Sequence, residues 1–70
     1  MELHKLKVIQ AIQRLDDKYR YTLMLHYTHD MSVKEIAKLM GIPEKTVYTR
    51  LERGRTQLLI LLEKEGISYV

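Results

Sequence analysis

The sequence predicts an all-α fold: a small four-helix domain that contains a helix-turn-helix and ends in a long C-terminal helix. Three observations predict it. Apolar residues recur at three- and four-residue spacing, and β-branched residues are too sparse and scattered to suggest strands. The single proline and the three glycines fall at element boundaries or, for Gly54, on an apolar helix face. At 70 residues and 46% hydrophobic there is room for one core only, so 1-70 reads as a single domain.

The first helix is expected from about Leu3 to Arg14, with Leu6, Ile9, Ile12 and Leu15 inward. The segment has no long apolar core and is punctuated by Lys5, Lys7 and Arg14, so an amphipathic helix is expected rather than a signal peptide or a membrane span. A second helix follows from Asp17 to Tyr27 behind an Asp16 cap, and Tyr19, Tyr21 and Tyr27 are expected to pack in the core. After the loop from Thr28 to Met31, Ser32 and Glu35 have the spacing of a capping box, in which each side chain receives the other's backbone amide.

From there Val33, Ile36, Ala37 and Met40 form one apolar stripe that stops at Gly41, a residue able to adopt the left-handed conformation that closes a helix. Ile42 can plug the turn. Pro43 presets the backbone for a new helix, and Glu44 suits the positive end of its dipole. This last helix is expected from Glu44 to about Lys64, closed by Gly66, and Ile67, Tyr69 and Val70 beyond it can fold back as a cover or remain unordered.

Two short amphipathic helices joined by a glycine turn are the sequence form of a helix-turn-helix, whose second helix enters the DNA major groove. At about 100° per residue, Val47, Leu51, Gly54 and Leu58 share one side of the last helix, and Lys45, Tyr48, Thr49, Glu52, Arg53 and Thr56 share the other. Long cations, a hydroxyl and a phenol match base edges and phosphates. The expected DNA contacts are Thr46 and, nearest the base edges, Lys45, Tyr48, Thr49 and Arg53. Arg50, Arg55, Lys34, Lys38 and His26 are expected on phosphates. A net charge of +3 and a sequence pI near 9.3 agree with an acidic partner without identifying one.

The segment from Leu15 to Leu58 resembles region 4 of bacterial RNA polymerase sigma factors, most closely the extracytoplasmic-function group. The resemblance rests on Leu15 with Tyr19 and Arg20, Leu23 with Leu25 and Tyr27, the run Ser32 to Ala37, Gly41-Ile42-Pro43, and Thr46-Val47 followed by Arg50-Leu51, Arg53 and Arg55. It implies that the last helix is a recognition helix for double-stranded promoter DNA at the −35 element. It also implies docking on the β-subunit flap of the RNA polymerase core.

The chain departs from the family pattern in four places. His26 stands where an arginine that reaches DNA is frequent, Lys45 where glycine is frequent, Tyr48 where lysine or arginine is common, and Asp16 where a helix-starting proline is common. The resemblance also implies a second promoter-reading domain that these 70 residues do not include, so the chain is expected to be a fragment of a longer factor.

The last helix continues past Arg55 as an apolar run from Leu58 to Leu62, too broad for one face and too short to span a membrane. Two readings stay open. Either the first helix covers the run, or Leu59, Ile60 and Leu62 form a patch that receives a partner, for which the family would nominate the flap or an anti-sigma factor.

No cysteine is present, which excludes disulfides and suits a reducing cytoplasm. His26 and His29 have metal-pair spacing, but only Asp30 stands near them, so no metal or other cofactor is expected. Ser32 is better used as a cap than as a nucleophile, and no phosphate-cradling glycine loop exists, so no catalytic residue is assigned and the chain reads as a binding module rather than an enzyme. A monomer is expected. The alternatives are a stand-alone dimeric helix-turn-helix regulator and a protein-interaction module that uses the apolar end of the last helix.

Overall fold

The computed structural model describes residues 3–64 and 66. The expected cover formed by Ile67, Tyr69 and Val70 lies outside the described residues. Four helices follow one another: α1 (Leu3–Ile12), α2 (Asp17–Tyr27), α3 (Val33–Met40) and α4 (Glu44–Lys64). The principal extents are 35 × 23 × 20 Å, and α4 packs against each of the other three helices.

α1 ends two residues earlier than expected. The Gln13 amide still reaches the Ile9 carbonyl at 3.2 Å, but Arg14 and Leu15 bond to Ala11 and Ile12, three residues back, at 3.0 and 3.1 Å. Such a tightened last turn satisfies terminal carbonyls while the chain reverses. The inward stripe also differs from the expectation. Ala11, Ile12 and Leu15 are buried with Val8 packed beside them, whereas Leu6 is 42% exposed. Leu6 is two residues from Val8, about 200° around the helix, and so faces solvent.

Asp16 occupies the N-cap of α2 through its backbone, its carbonyl accepting from Arg20 at 2.8 Å, while its side chain makes no capping bond. Asp17 pairs instead with Arg20 at 2.7 Å. Of the three tyrosines on α2, Tyr19 is in the core as expected. Tyr21 and Tyr27 are exposed, because α2 turns Tyr19, Thr22 and Leu23 toward the core and those two fall on its outer side.

The α3 termini follow the sequence signals closely. The Glu35 amide donates to Ser32 Oγ at 3.1 Å and the Ser32 amide to Glu35 Oε1 at 3.0 Å, completing the capping box. Gly41 adopts φ 67° and ψ 35°, and the amides of Gly41 and Ile42 both reach the Ala37 carbonyl. That left-handed closure turns the chain into α4, whose first turn is fixed by the Pro43 carbonyl accepting from Val47 at 3.2 Å.

One core unites the helices: Ala11, Ile12 and Leu15 from the α1 end, Tyr19 and Leu23 from α2, Ile36 and Ala37 from α3, and Val47, Leu51, Leu58 and Leu62 from α4. Thr22 is the polar group buried among them, and its hydroxyl donates to the Lys18 carbonyl at 2.7 Å, so among the described residues no buried side-chain donor is stranded. Gly54 lies at the α2–α4 crossing, where a β-carbon would stand 3.0 Å from Leu23 Cδ1. Its missing side chain lets the two helices approach closely and sets how α4 lies on the domain.

Candidate nucleic-acid interface

The inner side of α4 is anchored by Val47, Leu51, Gly54, Leu58 and Leu62, all buried. Helical geometry then fixes what faces outward. Lys45, Tyr48, Arg53 and Arg55 are exposed, while Thr46, Thr49 and Arg50 are half-buried. Lys34 and Lys38, four residues apart on α3, are exposed. All nine of these side chains therefore belong to the outer surfaces of the two helices joined at Gly41.

Among the described residues, Lys34, Lys38, Lys45, Arg50, Arg53 and Arg55 have no ion-pair partner, in contrast to Arg20 with Asp17. These six cations, without an ion-pair partner among the described residues, remain available to phosphates. The one acid at the start of α3 is already occupied: hydrogen bonds from the Ser32 backbone and side chain hold the Glu35 carboxyl below its ordinary range. It stays anionic as a cap.

Glu52 and Thr56 share the exposed face with Lys45 and Arg53, although the sequence reasoning did not count them as contacts. Glu52 is three residues from Thr49 and Thr56 three from Arg53, a spacing that was the available signal. A carboxylate at Glu52 can accept from a cytosine amino group.

A family model described as Sigma-70, region 4 matches residues 5–58. The chain belongs to the sigma-70 region 4 family. Region 4 is a helix-turn-helix domain, and α3, Gly41 and α4 are that motif here. SigW of Bacillus subtilis (strain 168), an ECF RNA polymerase sigma factor, is 45% identical over 49 residues, which make up 70% of this chain and 26% of SigW. SigV of the same organism, an RNA polymerase sigma factor, is 34% identical over 59 residues, 84% of this chain and 36% of SigV. A UPF0122 protein of Thermoanaerobacter sp. (strain X514) is 36% identical over 53 residues, 76% of this chain and 45% of that protein. The chain thus spans less than half the length of these relatives.

The apolar end of α4 in this region 4 domain differs from the sequence expectation at one residue. Leu62 was expected on a partner-receiving patch but is 1% exposed and belongs to the core, because it continues the stripe of Val47, Leu51, Gly54 and Leu58. Leu59 and Ile60 remain 40% and 48% exposed, and Ile60 lines a shallow cleft with Arg14, Leu15, Asp16, Gln57 and Leu61.

His26 is half-buried, with Nδ1 3.1 Å from the Met31 carbonyl. A carbonyl only accepts, so Nδ1 carries the proton and Nε2 is left without one in the neutral ring. Since phosphate oxygens also accept, His26 can hold a phosphate only as the imidazolium. His29 turns Nδ1 to Thr28 Oγ1 at 2.8 Å, and among the described residues no three side chains of metal-binding type gather at one point. No described helix is long and apolar enough to cross a membrane.

Proposed function

We propose that this chain reads the −35 element of double-stranded promoter DNA by placing α4 in the major groove, as a non-catalytic module of transcription initiation in the cytoplasm. The observation that carries the reading is the division of α4: a fully buried inner stripe fixes its rotation, and the opposite side presents unpaired cations. Lys45, Thr46, Tyr48, Thr49 and Arg53 approach base edges, with Arg50, Arg55, Lys34 and Lys38, and His26 when protonated, on phosphates.

In this reading the distal end of α4 faces protein rather than DNA. Ile60 lines the cleft beside Arg14 and Asp16 and Leu59 is exposed next to it in the chain, and the RNA polymerase core, through its β-subunit flap, is the partner proposed for this apolar edge. An anti-sigma factor would compete for the same edge. The domain acts as a monomer, so neutralising about three to five phosphates gives modest affinity that falls steeply with salt.

Selection of duplexes from a random pool, with and without polymerase core, tests the proposal. It predicts one short motif, enriched more strongly when core is present. Recovery of paired half-sites together with a tight dimer in sedimentation would support the regulator alternative. Association with core that survives Arg53→Ala and Lys45→Ala, without any enriched motif, would support the protein-interaction module.

A further inference from the structure

Thr49 lies on the outward side of α4, and its hydroxyl donates to the Lys45 carbonyl at 3.1 Å. Thr56 does the same to the Glu52 carbonyl, also at 3.1 Å. A threonine hydroxyl has one hydrogen, and here it is directed into the preceding turn of the helix. The side chain therefore cannot donate to the acceptor edge of a base. Toward the bases it then offers the γ-methyl group, and the lone pairs of Oγ1, which accept only from the amino groups of adenine or cytosine.

On the major-groove edge of the four base pairs, the one apolar group is the 5-methyl of thymine. Thr49 is four residues from Lys45 and four from Arg53, so a helix seated by those cations carries the threonine methyl at its centre. Thr56 stands about 10 Å further along the axis. Since the N-terminal part of a groove-bound helix approaches the bases most closely, Thr49 is the better placed of the two.

We infer that Thr49 is a specificity-determining residue that reads thymine by methyl–methyl contact, and that the recognised duplex carries a thymine whose 5-methyl faces it. This rests on the placement of α4 in the major groove proposed above. It adds what that placement alone does not give, the base class at one position and the atom that selects it.

The test uses the 70-residue chain and a duplex enriched from a random pool at low ionic strength. Each thymine is replaced in turn by deoxyuridine, which removes the 5-methyl and nothing else. At one position the substitution should weaken binding by about fourfold, the value of one buried methyl group. Thr49→Val, which keeps the methyl and loses the hydroxyl, should preserve that thymine-to-deoxyuridine ratio. Thr49→Ser, which keeps the hydroxyl and loses the methyl, should bring it to unity.

The inference is overturned if no thymine shows the effect, or if Thr49→Ser retains the ratio. It is equally overturned if Thr49→Val loses discrimination at a base bearing an amino group while Thr49→Ser keeps it, because the hydroxyl would then be the reader. In those outcomes a duplex that binds and is weakened by Arg53→Ala leaves the groove reading standing. If no duplex is enriched at all, both fall together.

Discussion

Gly54 on α4 stands so close to Leu23 on α2 that a β-carbon there would meet Leu23 Cδ1 at 3.0 Å and Tyr19 Cβ at 3.3 Å. Leu23 is fully buried and Tyr19 nearly so, which leaves neither free to move aside. The rotation of the proposed groove helix thus depends on a side chain that is missing.

Gly54→Val should lower stability by about 2 kcal/mol, since overpacking a closed core costs roughly 1–3 kcal/mol. Gly54→Ala should lose less, because alanine regains about 1 kcal/mol of helix propensity over glycine. Denaturant midpoints of the two variants check the ordering. A Gly54→Val protein as stable as the parent would contradict the close crossing.

The cap at Ser32 should be pH-dependent. Ser32→Ala removes one of the two reciprocal bonds and should cost about 1 kcal/mol. Bonds from the Ser32 backbone, then from its side chain, depress the Glu35 carboxyl in the folded state. A depressed carboxyl contributes stability that is fully present above its unfolded pKa and is lost as pH falls through the lower folded value. Melting curves from neutral pH to below the ordinary carboxylate range should show this loss, and Glu35→Gln should flatten it. An unchanged pH profile in Glu35→Gln would sink the assignment.

Arg53 and Lys34 should fail differently when replaced by alanine. Arg53→Ala, facing base edges, should cost about 1–3 kcal/mol of binding and relax preference at one base position. Lys34→Ala, facing phosphates, should weaken all duplexes alike and reduce the slope of log affinity against log salt by about 1. Titrations at several salt concentrations on matched and mismatched duplexes separate the two. Equal behaviour of both variants would mean that Arg53 does not reach the bases.

The apolar end of α4 divides just as sharply. Leu62→Ala should destabilise the domain by about 2–5 kcal/mol as a buried large-to-small change. Leu59→Ser and Ile60→Ser should change stability by less than about 0.5 kcal/mol, yet reduce association with polymerase core. Core pull-down alongside thermal melts measures both effects. Retained association in a Leu59→Ser, Ile60→Ser double variant would remove this edge from the docking surface.

How far the sequence could be read depends on the range of the interaction involved. The bounds of α2, α3 and α4 were legible because their signals are local: Ser32 with Glu35, Gly41 with its left-handed closure, and Pro43 just before a new helix. The buried stripe of α4 was legible for the same reason. The inward face of α1 was not, since Leu6, Val8, Ile9 and Ile12 offer more than one apolar side and only contact with α2 and α4 selects among them. Tyr21, Tyr27 and Leu62 were misplaced in the same way, each by a choice that tertiary packing makes. In the site, residue types and facing were readable, but not that the Thr49 hydroxyl is taken up by Lys45 or that His26 Nδ1 is held by Met31.

The most direct measurement is an amide resonance titration of the isotope-labelled chain with an enriched duplex at low ionic strength. The account predicts that the largest shifts fall between Lys45 and Thr56, with smaller ones at the α3 cations Lys34 and Lys38, and that the amides of the buried α1 residues Ala11 and Ile12 stay in place. Binding that moves resonances in α1 or α2 while leaving the outer side of α4 untouched would contradict it.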